Sequence, residues 1–131
     1  MKYNDLIPEL TVSNIEQSKH FYAELLGFTV EYAREEDKFI FISLDGCQLM
    51  LEELHAQSWL TDELQPPFGR GINLSLSIAD LQALYERVLQ LQLPLFRPLM
   101  LSEYRVGGEV VVEKEFMIQD PDGYLLRFNQ A

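Results

Sequence analysis

Apolar positions along the chain alternate with polar ones, then recur at helical spacing, then alternate again, and this succession occurs twice. Residues 6–12 (Leu-Ile-Pro-Glu-Leu-Thr-Val) read as a strand that Pro8 directs to a sheet edge or a chain-crossing position. Ile15, Ser18, Tyr22, Leu25 and Leu26, with Phe21 beside them, then fall on one side of a helix. Ser13 and Glu16 have the spacing of a capping box, and Gly27 suits the helix end. Strand-like runs follow at 28–34, 38–44 and 47–54, turned by Glu35-Glu36-Asp37 and by Asp45-Gly46.

Residues 55–70, with Trp59, Pro66, Pro67, Phe68 and Gly69, are irregular and read as a connection. The pattern then restarts. Across 71–78, Leu74, Leu76 and Ile78 share one face and Asn73, Ser75 and Ser77 the other. A helix over about 80–92 carries Leu81, Leu84, Tyr85 and Val88 and stops before Pro94. Strands at 95–105 and 109–118 meet through Gly107-Gly108, and Asp122-Gly123 turns the chain into a last strand. In that strand Tyr124, Leu126 and Phe128 point one way, and Leu125, Arg127 and Asn129 the other.

The expected fold is therefore α+β: two tandem βαβββ modules forming a curved mixed sheet around a cleft, with the helices on the outer face. Residues 1–131 make one domain, with module 1 at about 4–54, the connection at 55–70 and module 2 at about 71–131. The repeat has sequence support. Asn14-Ile15 opens the first helix as Asp80-Leu81 opens the second, and Asp45-Gly46 precedes one last strand as Asp122-Gly123 precedes the other. Matching these turns sets Met50 opposite Arg127 and directs Asn73, Ser75 and Arg127 into the cleft. The faces taken by Phe39 and Phe41 stay open.

Composition narrows the function. Hydrophobic residues at 47% and charged residues at 24% describe a globular chain and exclude a disordered one. A net charge of −11 repels phosphate backbones and argues against nucleic acid as a partner. It attracts cationic ligands, and it also serves solubility. Cys47 is the single cysteine, so no internal disulfide forms; its place in an apolar strand pattern suits a small buried hydrophobe, and a reducing cytoplasm is the expected location. The first residues lack a signal-peptide apolar stretch, and no apolar run reaches membrane-spanning length.

Several of these segments resemble a known family. The opening Ile7-Pro8-Glu9-Leu10-Thr11-Val12-Ser13-Asn14-Ile15, the Ser18-x-x-Phe21-Tyr22 pair, Leu26-Gly27-Phe28 and the closing Asp120-Pro121-Asp122-Gly123 resemble the vicinal oxygen chelate superfamily of glyoxalases, extradiol dioxygenases and bleomycin-resistance proteins. Metal-dependent members hold an ion with four converging ligands. The resemblance sets those ligand positions on Ile7, Glu52, a residue near Asn73, and Arg127. Ile7 has no ligand atom and Arg127 is a permanent cation, so no metal and no other cofactor is expected. His20 and His55 do not match the ligand positions and read as exposed or locally packed.

Pro8, the run Leu49-Met50-Leu51-Glu52, and Lys114-Glu115-Phe116 before the last turn resemble the metal-free bleomycin-resistance branch. That branch implies a homodimer with N-terminal strand exchange, which sequesters a cationic aromatic small molecule without chemistry. The alternative is an enzyme of the same superfamily with an altered or absent metal site. The candidate ligand-binding residues are Glu52, Trp59, Phe68, Asn73, Ser75, Tyr104, Glu113, Glu115 and Arg127; no catalytic residue is assigned. Each has a plainer role. Trp59 either stacks on a planar ligand or plugs an interface, and Phe68 and Tyr104 stack or pack. Glu52 meets a ligand cation or pairs with Arg127, which alternatively meets an anionic group of the ligand. Asn73 and Ser75 line the cleft or satisfy each other. Glu113 and Glu115 share a strand face, which either attracts a cation or is simply solvated.

Overall fold

The computed structural model describes residues 1–130 and contains the βαβββ pattern twice. It divides into two compact units, Met1–Phe68 and the chain from Gly69 onward. In the first unit, β1 (Glu9–Val12), α1 (Ile15–Lys19), β2 (Thr29–Arg34), β3 (Phe39–Leu44) and β4 (Cys47–Glu53) build a sheet of order β1-β4-β3-β2. β1 is an edge strand running parallel to β4 of the same chain. Pro8 lies just outside it and cannot interrupt the ladder. The second unit repeats this as β5 (Asn73–Ser77), α2 (Leu81–Gln90), β6 (Arg97–Val106), β7 (Glu109–Gln119) and β8 (Leu125–Gln130), in the order β5-β8-β7-β6.

Two local readings of the sequence are corrected. The cap of α1 is Asn14, whose side chain accepts from the Gln17 amide at 2.9 Å, and not a Ser13–Glu16 box. Asp80 caps α2 in the same way, through the Ala83 amide at 3.1 Å. α1 also widens after one turn into a π-helical stretch, His20–Leu25, closed by the Leu26 amide on the Phe21 carbonyl at 3.1 Å. Cys47, expected to be buried, is half-exposed, because it opens β4 directly after the Asp45-Gly46 turn.

Each helix is fixed to one face of its sheet by a polar side chain from the end of the last strand. Glu53 of β4 accepts from the Ile15 amide at 3.0 Å, and Gln130 of β8 accepts from the Leu81 amide at 3.2 Å. The Ile15 amide and then Lys38 (2.9 Å) hold the Glu53 carboxyl below its ordinary range. Beneath the first helix lie Leu10, Val12, Ile40, Ile42, Leu49 and Leu51, all buried. Beneath α2 lie Leu76, Phe116, Ile118, Leu126 and Phe128, with the Tyr85 ring 5.0 Å from that of Phe116. Burying each of these side chains contributes roughly 1.5–3 kcal/mol, and these two clusters are the cores of the units.

Strand register then dictates what each sheet carries on the opposite face. In the first unit Thr11 pairs with Glu52, Glu52 with Phe39, Met50 with Phe41 and Tyr32 with Phe41. Glu9, Thr11, Tyr32, Arg34, Phe39, Phe41, Met50 and Glu52 therefore share the face away from the helix. This settles Phe39 and Phe41: they are buried there under other rings, Tyr32 stacking on Phe41 at 5.3 Å and Tyr3 meeting it edge-on at 5.5 Å. In the second unit the corresponding face carries Asn73, Ser75, Arg127, Asn129, Glu113, Glu115, Ser102 and Tyr104.

Candidate functional site: an acidic cavity beside Trp59

The helix-free face of the first unit ends in a cavity of about 340 Å³ lined by Glu9, Thr11, Arg34, Glu52, His55, Gln57, Ser58 and Trp59. β1 supplies Glu9 and Thr11, β4 supplies Glu52, and β2 supplies Arg34. The chain leaving β4 supplies the rest. Its bend is held by the His55 amide on Ser58 Oγ at 2.9 Å and the Ser58 amide on the His55 carbonyl at 3.1 Å. These bonds keep Trp59 beside the strands, where its side chain is 95% exposed. An indole left in water at the rim of a cavity is available for stacking.

The charges have a definite arrangement. His55 Nε2 lies 2.6 Å from Glu52 Oε1, and the Gln57 amide points at His55 Nδ1 at 3.1 Å. An amide can only donate, so Nδ1 accepts and the Nε2 proton faces Glu52. The protein packed around Glu9, and then the charge of Glu52, push its carboxyl above the ordinary range, while Arg34 opposes them. Arg34 is itself committed: its Nε donates to Asp37 at 3.0 Å and its guanidinium lies 3.9 Å above the Phe39 ring. The cavity thus offers two carboxylates, Glu52 hydrogen-bonded by a neutral His55 and Glu9 on the edge strand, beside an exposed aromatic plane. A neighbouring depression of about 560 Å³ shares Glu52, His55 and Gln57; of its other charges, Lys38 and Glu53 pair with each other, Asp37 pairs with Arg34, and Glu36 is exposed.

The second unit treats its polar face differently. Glu115 is only 1% exposed; its Oε1 accepts from Ser102 Oγ at 2.8 Å and from Tyr104 Oη at 2.5 Å. Its Oε2 lies 3.7 Å from Arg127 Nη1 and has no hydrogen-bond donor. Arg127 Nε donates to Asn73 Oδ1 at 3.2 Å, and Asn129 Nδ2 donates to Ser75 Oγ at 2.8 Å. Within their own units, Glu52 takes His55, and Arg127 takes Glu115 and Asn73. Asn73 and Ser75 do not satisfy each other. Glu115 is no open cation attractor, because burial required internal donors for it. Glu113 shares its face and is half-exposed. Phe68 is buried at 8% exposure, whereas Tyr104 is 37% exposed and reaches Glu115 through its hydroxyl.

Of the candidate binding residues, Glu52 and Trp59 line this cavity; its other six members, Glu9, Thr11, Arg34, His55, Gln57 and Ser58, were not among them. Glu9 was readable, since it alternates with Thr11 on a strand beside β4. His55 was readable less directly, as the residue three beyond Glu52 just past a strand end. Nothing local marked Arg34.

Residues 6–128 match the sequence profile of the Glyoxalase/Bleomycin resistance protein/Dioxygenase superfamily. The chain belongs to this superfamily. A superfamily member from Vibrio splendidus 12B01 is 33% identical over 94% of this chain and 95% of that one, with a TM-score of 0.41. A glyoxalase/bleomycin resistance protein/dioxygenase from Alicyclobacillus acidocaldarius is 20% identical over 97% of this chain and 90% of that one, with a TM-score of 0.68. An integron cassette protein from the mobile metagenome of V. cholerae is 20% identical over 99% and 97%, with a TM-score of 0.69. The latter two share the fold. A search of curated proteins gave no match.

The residues present do not fit the ion that many superfamily members use. Of the four positions the resemblance assigns to ligands, Ile7 has no donor atom, and Arg127 brings a positive charge where a carboxylate is needed. The carboxylate of Glu52 is engaged by His55. Among the described residues no group of three or more His, Cys, Asp or Glu side chains is placed to hold a metal ion. No helix among them is long and apolar enough to cross a membrane.

Proposed function

We propose that this superfamily member is a metal-free small-molecule-binding protein that sequesters a planar, positively charged drug or metabolite in the cavity beside Trp59. The observation that carries the reading is the pairing of two carboxylates, Glu9 and Glu52, with a fully exposed indole in one cavity of about 340 Å³. A cation over an indole gains about 0.5–2 kcal/mol, and each nearby carboxylate about 1 kcal/mol in water. Together with apolar burial these contributions reach the roughly 4 kcal/mol that corresponds to millimolar binding, and the net charge of −11 steers cations toward the protein.

Calorimetric titration with bleomycin-type drugs and with smaller cationic aromatics tests this. The expected result is binding tighter than about 1 mM, weakened about tenfold (1.4 kcal/mol) by Glu52→Gln and again by Trp59→Ala. If no such compound binds tighter than millimolar, the sequestration reading is wrong. A metal-free acid–base enzyme is the second reading, favoured by the raised Glu9 carboxyl beside the Glu52–His55 pair. Mass spectrometry of the ligand after incubation separates the two: unchanged mass supports sequestration, and a shifted mass supports turnover.

The protein is further proposed to act as a homodimer with exchange of the N-terminal strand, a partner's β1 taking the place on β4 that β1 holds within one chain. Exposed apolar side chains along the β6–β7 hairpin (Leu101, Val106, Val110 and Val112) support self-association. Light scattering at micromolar concentration is expected to give twice the chain mass; a monomer there contradicts the dimer.

A further inference from the structure

We propose that β6 is a docking edge for a second copy of this chain, the two β6 strands pairing antiparallel about Tyr104. The inference deepens the self-association proposed above by naming a surface for it, and this surface does not involve β1. Four strands lie at the edges of the two sheets: β1 with 4 residues, β5 with 5, β2 with 6 and β6 with 10. A long edge strand offers a row of unpaired backbone groups to other chains unless a bulge, a proline or a lysine blunts it. β2 is interrupted midway, between Val30 and Tyr32. In β6 the interruption lies near its start, between Arg97 and Met100, so residues 100–106 run on in regular register beside β7. That stretch is also apolar where it meets water: Leu101 is 69% exposed and Val106 61%, and Val110 and Val112 of β7 are exposed beside them.

The charges of the strand name the occupant. Glu103 and Arg105 are exposed, share one face of β6, and among the described residues form no ion pair within the chain. In an antiparallel pair centred on Tyr104, Glu103 of each copy stands directly opposite Arg105 of the other, and Ser102 opposite Val106. Sliding one strand by two residues sets Glu103 against Glu103 in one direction and Arg105 against Arg105 in the other, and like charges directly opposite are destabilising. The two Tyr104 side chains meet at the centre, each diagonal to Val106 of the other copy, a favourable aromatic and β-branched combination. The strand is thus complementary to itself in one register. A contact between two such segments is smaller than a standard interface of about 1,600 Å², so it forms at higher concentration than a permanent dimer does.

Sedimentation equilibrium from micromolar to millimolar protein tests this, in about 0.15 M salt, which screens the repulsion between chains of net charge −11. The mass at micromolar concentration reports β1 exchange, and its rise at higher concentration reports the β6 contact, so either reading can fail without the other. The expected result is a rise in mass that dilution reverses. Glu103→Arg or Arg105→Glu alone sets like charges opposite one another twice, and is expected to weaken this association at least about tenfold. Mixing the two variants in equal amounts restores both opposite pairs and is expected to bring association back. The double variant, Glu103→Arg with Arg105→Glu, is expected to associate as the unmodified protein does. A mass that does not rise at millimolar concentration overturns the proposal. A rise that neither single variant reduces overturns it too, assigning association to another surface, as does a mixture that fails to recover. Hydrogen exchange of the unmodified protein gives a reading that needs no variant: amides of residues 102–106 are expected to slow at millimolar protein, and slowing confined to other segments overturns the β6 assignment.

Discussion

Glu115→Ala is expected to destabilise the protein by about 3–5 kcal/mol in chemical denaturation, the range for removing one partner of a buried ion pair. Four groups depend on this carboxylate or surround it: the Ser102 and Tyr104 hydroxyls, the Arg127 guanidinium and, beside it, Asn73. Removing the carboxylate leaves two hydroxyls unpaired and a guanidinium, only 27% exposed, with one neutral acceptor. Glu115→Gln keeps an acceptor for the hydroxyls while losing the charge, and is expected to cost about 1–2 kcal/mol. Replacing both ions together, as Glu115→Leu with Arg127→Met, is expected to recover most of the loss, because the desolvation of both charges is then avoided. A loss below about 1 kcal/mol for Glu115→Ala would show that Arg127 is not anchored this way. The point bears on function: an anchored Arg127 is a structural cation at a position where metal-using relatives need a carboxylate.

Much of the fold was legible because its signals are local. The alternation of Asn73, Ser75 and Ser77 against Leu74, Leu76 and Ile78, and the repeated Asp-Gly turns, needed no tertiary knowledge. The α1 cap was misplaced by one residue because Ser13 and Asn14 are both good caps, and only the backbone decides between them. The π-helical stretch had no sequence mark. The site was half legible. Glu52 and Trp59 stood out by type and place, yet the partner of each charge is a matter of register and loop path. Arg127 finds Glu115 because β7 lies beside β8, and Glu52 finds His55 because the chain bends just after β4. Neither neighbour can be read from spacing alone, since a strand's partners are chosen by the whole sheet.

Asp120→Ala is expected to cost about 3 kcal/mol. Asp120 is 5% exposed, and its Oδ1 accepts from the amides of Asp122 and Tyr124, both at 2.9 Å. Its backbone is tied as well: its amide donates to the Tyr124 carbonyl at 2.9 Å, and its carbonyl accepts from Gly123 at 3.0 Å. Hydrogen bonds to a charged acceptor contribute about 1.5–3 kcal/mol each, and losing two of them leaves buried amides unpaired. Asp120→Asn retains an acceptor oxygen and is expected to lose about half as much. The turn launches β8, so hydrogen exchange should show the amides of Leu125–Gln130 opening with it. Equal stability of Asp120→Ala and the unmodified protein would mean that Gly123, at φ 104°, forms the turn without the side chain.

The central claim is that a planar cation enters the cavity of the first unit, between the two carboxylates and beside Trp59. Its most direct test is an amide NMR titration with N-methylquinolinium at pH 7.5, followed through the indole N–H of the single tryptophan. The account predicts saturable shifts at that indole and at the amides of residues 9–11 and 52–59, with neutral quinoline shifting the same signals at least tenfold more weakly. Shifts that centre on the Glu115–Arg127 face instead, or an indole signal that does not move at millimolar probe, would contradict it.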